Sequence, residues 1–226
     1  MRRWLVLIAG LAGLASLIAH LPLCWVLPGA LAQQGVTASG TVWNGQLGGV
    51  PLVGSLSVGT TLSGVRLLSA PGPVTLRARI KPGAVSDAAL SMPIAALPLQ
   101  DARLAGLAGR VSLRIDAAEF DGDACLSASG TAASDVLRSN APRLGWAGPE
   151  LAGPIDCVDG RVRVRLSGED AGTTVDALTT TGADGLYQSD ITVRSADPAA
   201  GNALVLCGFT PAGANEYRLS EQGRWR

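Results

Sequence analysis

The chain has 226 residues, 47% of them hydrophobic, with eighteen basic residues balanced by eighteen acidic ones and a single histidine. That apolar content excludes a disordered chain, and neutrality without a basic run gives nucleic acid no handle. The 29 glycines, 13 prolines and few aromatics point to short strands and turns rather than packed helices.

The first element, Trp4 to Leu27, reads WLVLIAGLAGLASLIAHLPLCWVL and carries no formal charge. Free of proline up to Leu21, it gives roughly 27 Å of helix against a hydrocarbon core of about 30 Å, and one more turn completes a span. Arg2 and Arg3 precede it, and no basic residue follows until Arg66. The positive-inside rule therefore predicts residues 1–3 as a cytoplasmic tail, 4–27 as a transmembrane anchor and 28–226 as a periplasmic β-rich domain. Trp4 and Trp25 stand where indoles favour the headgroup level. The alternative is a signal peptide cleaved after Ala32, because Ala30-Leu31-Ala32 fits a small-x-small site. The apolar run is longer than the roughly 7 to 15 residues of a signal core, which favours the anchor. Ala9, Ala12, Gly13, Ser16 and Ala19 share a smooth helical face, suited to helix packing or simply typical of an alanine-rich span. His20 lies in the same segment, so the only imidazole is placed away from any aqueous catalytic site.

Gln33 to Trp43 leads into GTVWNG at 40–45, where Asn44-Gly45 after an extended run predicts a two-residue hairpin turn. Period two puts Trp43 on the face of Thr41 and Thr37, opposite Val42 and Gly40. It reads as a core-capping tryptophan, with docking against a partner as the functional alternative. Short apolar runs at 52–58 and 62–68 read as strands. The stretches VTLRARIK (74–81), RVSLRIDA (110–117) and RVRVRL (161–166) alternate without a fault. They place Val74, Leu76, Val111, Leu113, Val162 and Val164 on the inner face of a curved, mostly antiparallel sheet. Arginines take the wet face, which is solvated unless it serves as an anion- or lipid-phosphate site. Between the first two of these stretches, Pro93 and Pro98 limit any helix to a short one near 85–91. Residues 186–194, 202–209 and 216–225 continue in strands.

Chemistry-bearing clusters are sparse. Asp121 and Asp123 in FDGDAC, with Asp156 and Asp159 in IDCVDG, lack the spacing of a calcium loop and read as turn residues. The glycines form no phosphate loop, and the serines have no base. No catalytic, cofactor-binding or metal-binding residue is predicted. Cysteines 24, 125, 157 and 207 contain no CxxC pair. In an oxidising compartment Cys125 and Cys157 are the expected disulfide, with Cys24 at the membrane boundary and Cys207 in the apolar run ALVLCGF. Pairs involving Cys207, or four buried thiols, are the alternatives.

The anchor, the SGTVWNGQ segment soon after it and the glycine- and strand-rich remainder resemble protein N of the bacterial type II secretion system. The family signature GT(V/I/L)W-x-G is matched by Gly40, Thr41, Val42, Trp43 and Gly45. WAGPELAG at 146–153, CVDG at 157–160 and the closing LCGFTPAGANEYRLSEQGRW extend the resemblance into the C-terminal half. It implies a non-catalytic, cofactor-free accessory component of the inner membrane, with a single span and its bulk in the periplasm. Its partners would be other inner-membrane subunits of the machine that exports folded proteins across the outer membrane. The same analogy suggests kinship with AsmA-like bridge proteins, whose curved sheets present an apolar groove to lipid. A periplasmic lipid-binding or lipid-transfer module is thus the alternative function.

Overall fold

The computed structural model describes residues 22–23, 35–61, 63–96 and 106–224. The anchor at 4–27, apart from Pro22 and Leu23, lies outside the described residues, as do His20, Cys24 and the Ala30–Ala32 cleavage pattern. Among the described residues no helix is long and apolar enough to cross a membrane.

Alternating sequences make strands here, and short polar turns bring each strand back beside the last. In chain order they are β1 (Thr37–Gly40), β2 (Gly45–Val50), β3 (Gly54–Thr61), β4 (Gly64–Ser69), β5 (Thr75–Lys81), β6 (Ala84–Pro93) and β7 (Arg110–Asp121). Then follow β8 (Ala124–Ser134), β9 (Leu151–Val158), β10 (Arg161–Asp170), β11 (Thr173–Thr181), β12 (Leu186–Ser195), β13 (Thr210–Gly213) and β14 (Glu216–Arg224). All fourteen belong to one open sheet, a meander from β1 to β12 that ends β12-β14-β13. Each neighbouring pair is antiparallel, from β1 with β2 through to β13 with β14. Asp159-Gly160 and Ala171-Gly172 turn the β9–β10 and β10–β11 hairpins with positive φ at both positions (52° and 76°, 47° and 78°). Those are the mirror-image turns whose twist matches the strands they join.

The register puts Leu76, Val111, Leu113, Val162 and Val164 on one face, and Val74, buried, immediately precedes β5. Leu76 opposes Leu90, which opposes Leu113, and the row continues through Ala132 to Gly153. Val164 opposes Ile155 and Val162 opposes Cys157 on that same face. The sheet bends sharply at β9: residues of β8 and β10 approach within 8 Å Cα to Cα across it, where a flat sheet would hold them about 9.5 Å apart. Gly130, Gly153 and Gly168 occupy inner-facing positions at this bend. A Cβ on them would collide with the backbone oxygens of Arg114, Arg165 and Glu150 respectively.

Two elements differ from expectation. The short helix expected near 85–91 is strand β6, whose two edges are taken by β5 and β7. Two ladders outweigh helix propensities that differ by at most roughly 0.7 kcal/mol per ordinary residue. Residues 202–209, expected as a strand, fall mostly in a helix. Among the described residues there are three α-helices: α1 (Val136–Ser139), α2 (Ala141–Leu144) and α3 (Pro198–Leu206). In α3 the Asp197 carboxylate accepts a hydrogen bond from the Ala199 N–H at 2.8 Å, and Pro198 stands in the first turn. This Asp-Pro start signal sets the helix before the apolar run ALVL is reached. Buried Ala200 and Leu204 of α3 pack with Trp146, Leu151, Val175 and Val193 as the core, and Leu137 and Leu144 close over it. The helices thus roof one end of the inner face of β9–β14.

Candidate functional site

The signature Gly40 to Gly45 forms the link between β1 and β2. The turn expected at Asn44-Gly45 is centred instead on Val42 and Trp43. Thr41 and Asn44 exchange both backbone hydrogen bonds at 3.2 Å, and the Thr41 hydroxyl also accepts from the Asn44 N–H at 3.3 Å. Gly45 is already in β2 and has no positive φ, whereas Gly40 takes φ 82°. The reason is close packing: a Cβ at Gly45 would lie 2.5 Å from Leu23 Cδ2 and 2.8 Å from the Thr41 oxygen. Pro22 pairs with Thr41 as an isolated antiparallel bridge, so Pro22 lies directly on the motif. The Thr60 hydroxyl donates to the Val42 oxygen at 2.6 Å and pins the turn to β3. Because β1 stops at Gly40, alternation does not carry through to Trp43, and its side chain stays 38% exposed rather than capping the core.

On the inner face, chemistry changes along the strands. Val175 and Val193 lie deepest, under the helices. The next row, Ala177, Ile191 and Leu219, lines an apolar cavity of about 280 Å³ closed by Leu144, Trp146 and Leu204. One row further, Thr179, Ser189 and Glu221 are aligned, and the two hydroxyls meet at 3.0 Å. Cys207 and Glu221 also line this cavity. Asn140, buried in its wall, has its amide satisfied by Ala108 N–H and by the Ala108 and Val136 oxygens. Nothing in hydrophobic periodicity marks Asn140 or 173–181, because the helices that make them a cavity wall come from distant sequence.

Cys125 and Cys157 form a disulfide between β8 and β9, with Cα atoms 5.7 Å apart. Cys207 is free and half-buried. The four aspartates do not converge: Asp121 and Asp123 are exposed at the β7–β8 turn, and Asp159 sits in the β9–β10 turn at φ 52°. Asp156 accepts two hydrogen bonds from Arg163 across the ladder, which hold its carboxyl below the ordinary 3.8. Glu216 is lowered in the same way by Arg218 and then Arg194. Among the described residues no group of three or more His, Cys, Asp or Glu side chains could hold a metal ion.

The model of the family "Type II secretion system (T2SS), protein N" matches residues 34–220, taking in the Gly40–Gly45 motif, the disulfide and the helical roof. No curated protein matches significantly, and no solved structure does. With the match running over most of its length, the chain belongs to the protein N family of the type II secretion system.

Proposed function

We propose that this component of the secretion machine is a non-catalytic, single-pass protein of the inner membrane. Residues 1–3 lie in the cytoplasm, 4–27 form the anchor, and 28–226 form a periplasmic scaffold on which other inner-membrane subunits dock. The observation that carries the reading is the family match across the whole sheet; the family is one of secretion components, not a known enzyme family. The charge-free Trp4–Leu27 stretch supports the anchor. An exposed tryptophan two residues beyond Thr41, to which Pro22 bridges, supports docking there. The test is secretion of a folded type II substrate by cells lacking the protein. Full-length chain should restore it, with the N-terminus intact by mass spectrometry. Full restoration by a chain whose first 32 residues are replaced with a cleaved signal would sink the anchored reading.

A second reading, a lipid-binding module, is favoured by the 280 Å³ apolar cavity with the Glu221 carboxylate in its wall. Native mass spectrometry of full-length chain should then retain phospholipid, and Ala177→Phe should expel it. Retention unaffected by filling the cavity would remove this reading.

A further inference from the structure

The outer face carries a polar pocket that the scaffold reading leaves unused. About 260 Å³ in volume, it lies between the β3–β4 and β5–β6 turns and is lined by Thr61, Ser63, Arg66, Arg79, Lys81 and Ser86. Register places Arg66 directly opposite Arg79, and Lys81 follows two residues on, on the same face. Like charges facing each other across a ladder destabilise a sheet unless an anion lies between them. Among the described residues the one compensating ion pair is Asp87 Oδ2 at 3.1 Å from Arg79 Nη1, with both side chains more than half exposed and therefore screened. Among the described residues Arg66 and Lys81 form no ion pair. Three cations and one carboxylate leave a net charge of two positive, with the Ser63 and Ser86 hydroxyls as further donors, the Thr61 hydroxyl being given to the Gly64 oxygen at 3.1 Å.

We propose that this pocket binds a phosphate group, its oxygens held by the Arg66 and Arg79 guanidiniums and the Lys81 ammonium. Guanidinium forks match phosphate oxygens two at a time, and the hydroxyls complete the shell. The position of the pocket favours the phosphate of an anionic phospholipid headgroup. Gly59, which opposes Arg66 in β3, is the neighbour of Thr60, whose hydroxyl holds the Trp43 turn. Pro22, within the stretch proposed as the anchor, joins that turn at Thr41. Ile80 and Trp43, 39% and 38% exposed, stand at the same end of the sheet. The phosphate chemistry stands on the pocket alone; the lipid source rests on the anchored reading.

The test is calorimetric titration of full-length chain in uncharged maltoside micelles, free of phosphate buffer. One arm adds inorganic phosphate and the other adds phosphatidylglycerol to the micelles. Saturable binding is expected in both arms, weakening steeply with salt. The double variant Arg66→Gln/Lys81→Gln should bind at least tenfold more weakly in both. Arg194→Gln, far across the sheet and paired with Glu216, should match the parent. Circular dichroism and an unchanged or higher melting temperature would show that the double variant folds. Binding of inorganic phosphate without phosphatidylglycerol would keep the site and overturn the lipid source, leaving the anchor untouched. Absence of phosphate binding, or a double variant that binds like the parent, would overturn the site itself.

Discussion

Leu23 lies over Gly45 so closely that the glycine has no room for a side chain, a Cβ falling 2.5 Å from Leu23 Cδ2. This contact ties Leu23 to the second strand of the sheet. Gly45→Ala is expected to destabilise the chain by about 1–3 kcal/mol, the usual cost of overpacking. Adding Leu23→Ala should recover part of that loss, giving a coupling between the two sites in a double-mutant cycle. Recovery would be incomplete, because the Thr41 oxygen at 2.8 Å still faces the new methyl group. Additive effects in chemical denaturation would show that the two residues do not touch.

The disulfide closes a loop with a sequence separation of 32 between neighbouring strands. In the chain-entropy model such a loop contributes roughly 3 to 4 kcal/mol. Cys125→Ala/Cys157→Ala should lower the denaturation midpoint accordingly, and reductant should lower that of the parent but not of the double variant. An equal response of both proteins to reductant would place the effect elsewhere.

Strands β5, β7 and β10 were legible because apolar residues alternate in them with charged or polar ones, and alternation reports which side of a sheet is wet, while β12 and β14 were legible as runs set off by glycine- and aspartate-rich turns. Strands β8 and β11 were not. ACLSASGTAAS and TTVDALTTT use small or hydroxylated residues on both faces, because the bend at Gly130 and the helical roof leave room for little else. The helix α3 carried its start signal in Asp197-Pro198, but ALVL reads as a buried strand when taken alone. The disulfide pair followed from compartment and elimination. The cavity did not, since its walls come from segments more than fifty residues apart that only the fold unites.

Trp43 provides the sharpest test of architecture against docking. With 38% of its surface exposed, Trp43→Ala should cost about 1–2 kcal/mol rather than the roughly 3–5 of a fully buried indole. Secretion should fall far more than that loss of stability explains, if a partner subunit covers the ring. Normal secretion with a small drop in melting temperature would end the docking role.

Leu204 closes the inner cavity from the helical side and is buried at 4% exposure. Leu204→Ala is expected to cost about 2–5 kcal/mol, toward the upper end if α3 cannot settle onto Val193. The near-ultraviolet signal of Trp146, which lies in the same core, should broaden in parallel. A cost below about 1 kcal/mol would mean that the roof collapses freely, and the cavity is then no fixed feature.

The response to acid follows from two carboxylates. Arg163 donates to Asp156 at 2.7 Å through Nε and at 2.5 Å through Nη2. Glu216 accepts from Arg218 at 2.8 Å and from Arg194 at 2.9 Å. These hydrogen bonds lower both groups from their ordinary values of 3.8 and 4.5. Between the ordinary and the lowered value, the unfolded chain binds more protons than the folded one, so stability falls as pH falls. The contribution is therefore present in full at neutral pH. It begins to drop near the ordinary values and is lost once the lowered values are passed. Urea unfolding of Asp156→Asn/Glu216→Gln should show a lower midpoint than the parent at neutral pH and a shallower decline below about pH 4.5. The two curves should converge in strong acid, where the parent's carboxylates are protonated as well. Curves that run parallel down to the acid limit would show that neither ion pair is linked to folding.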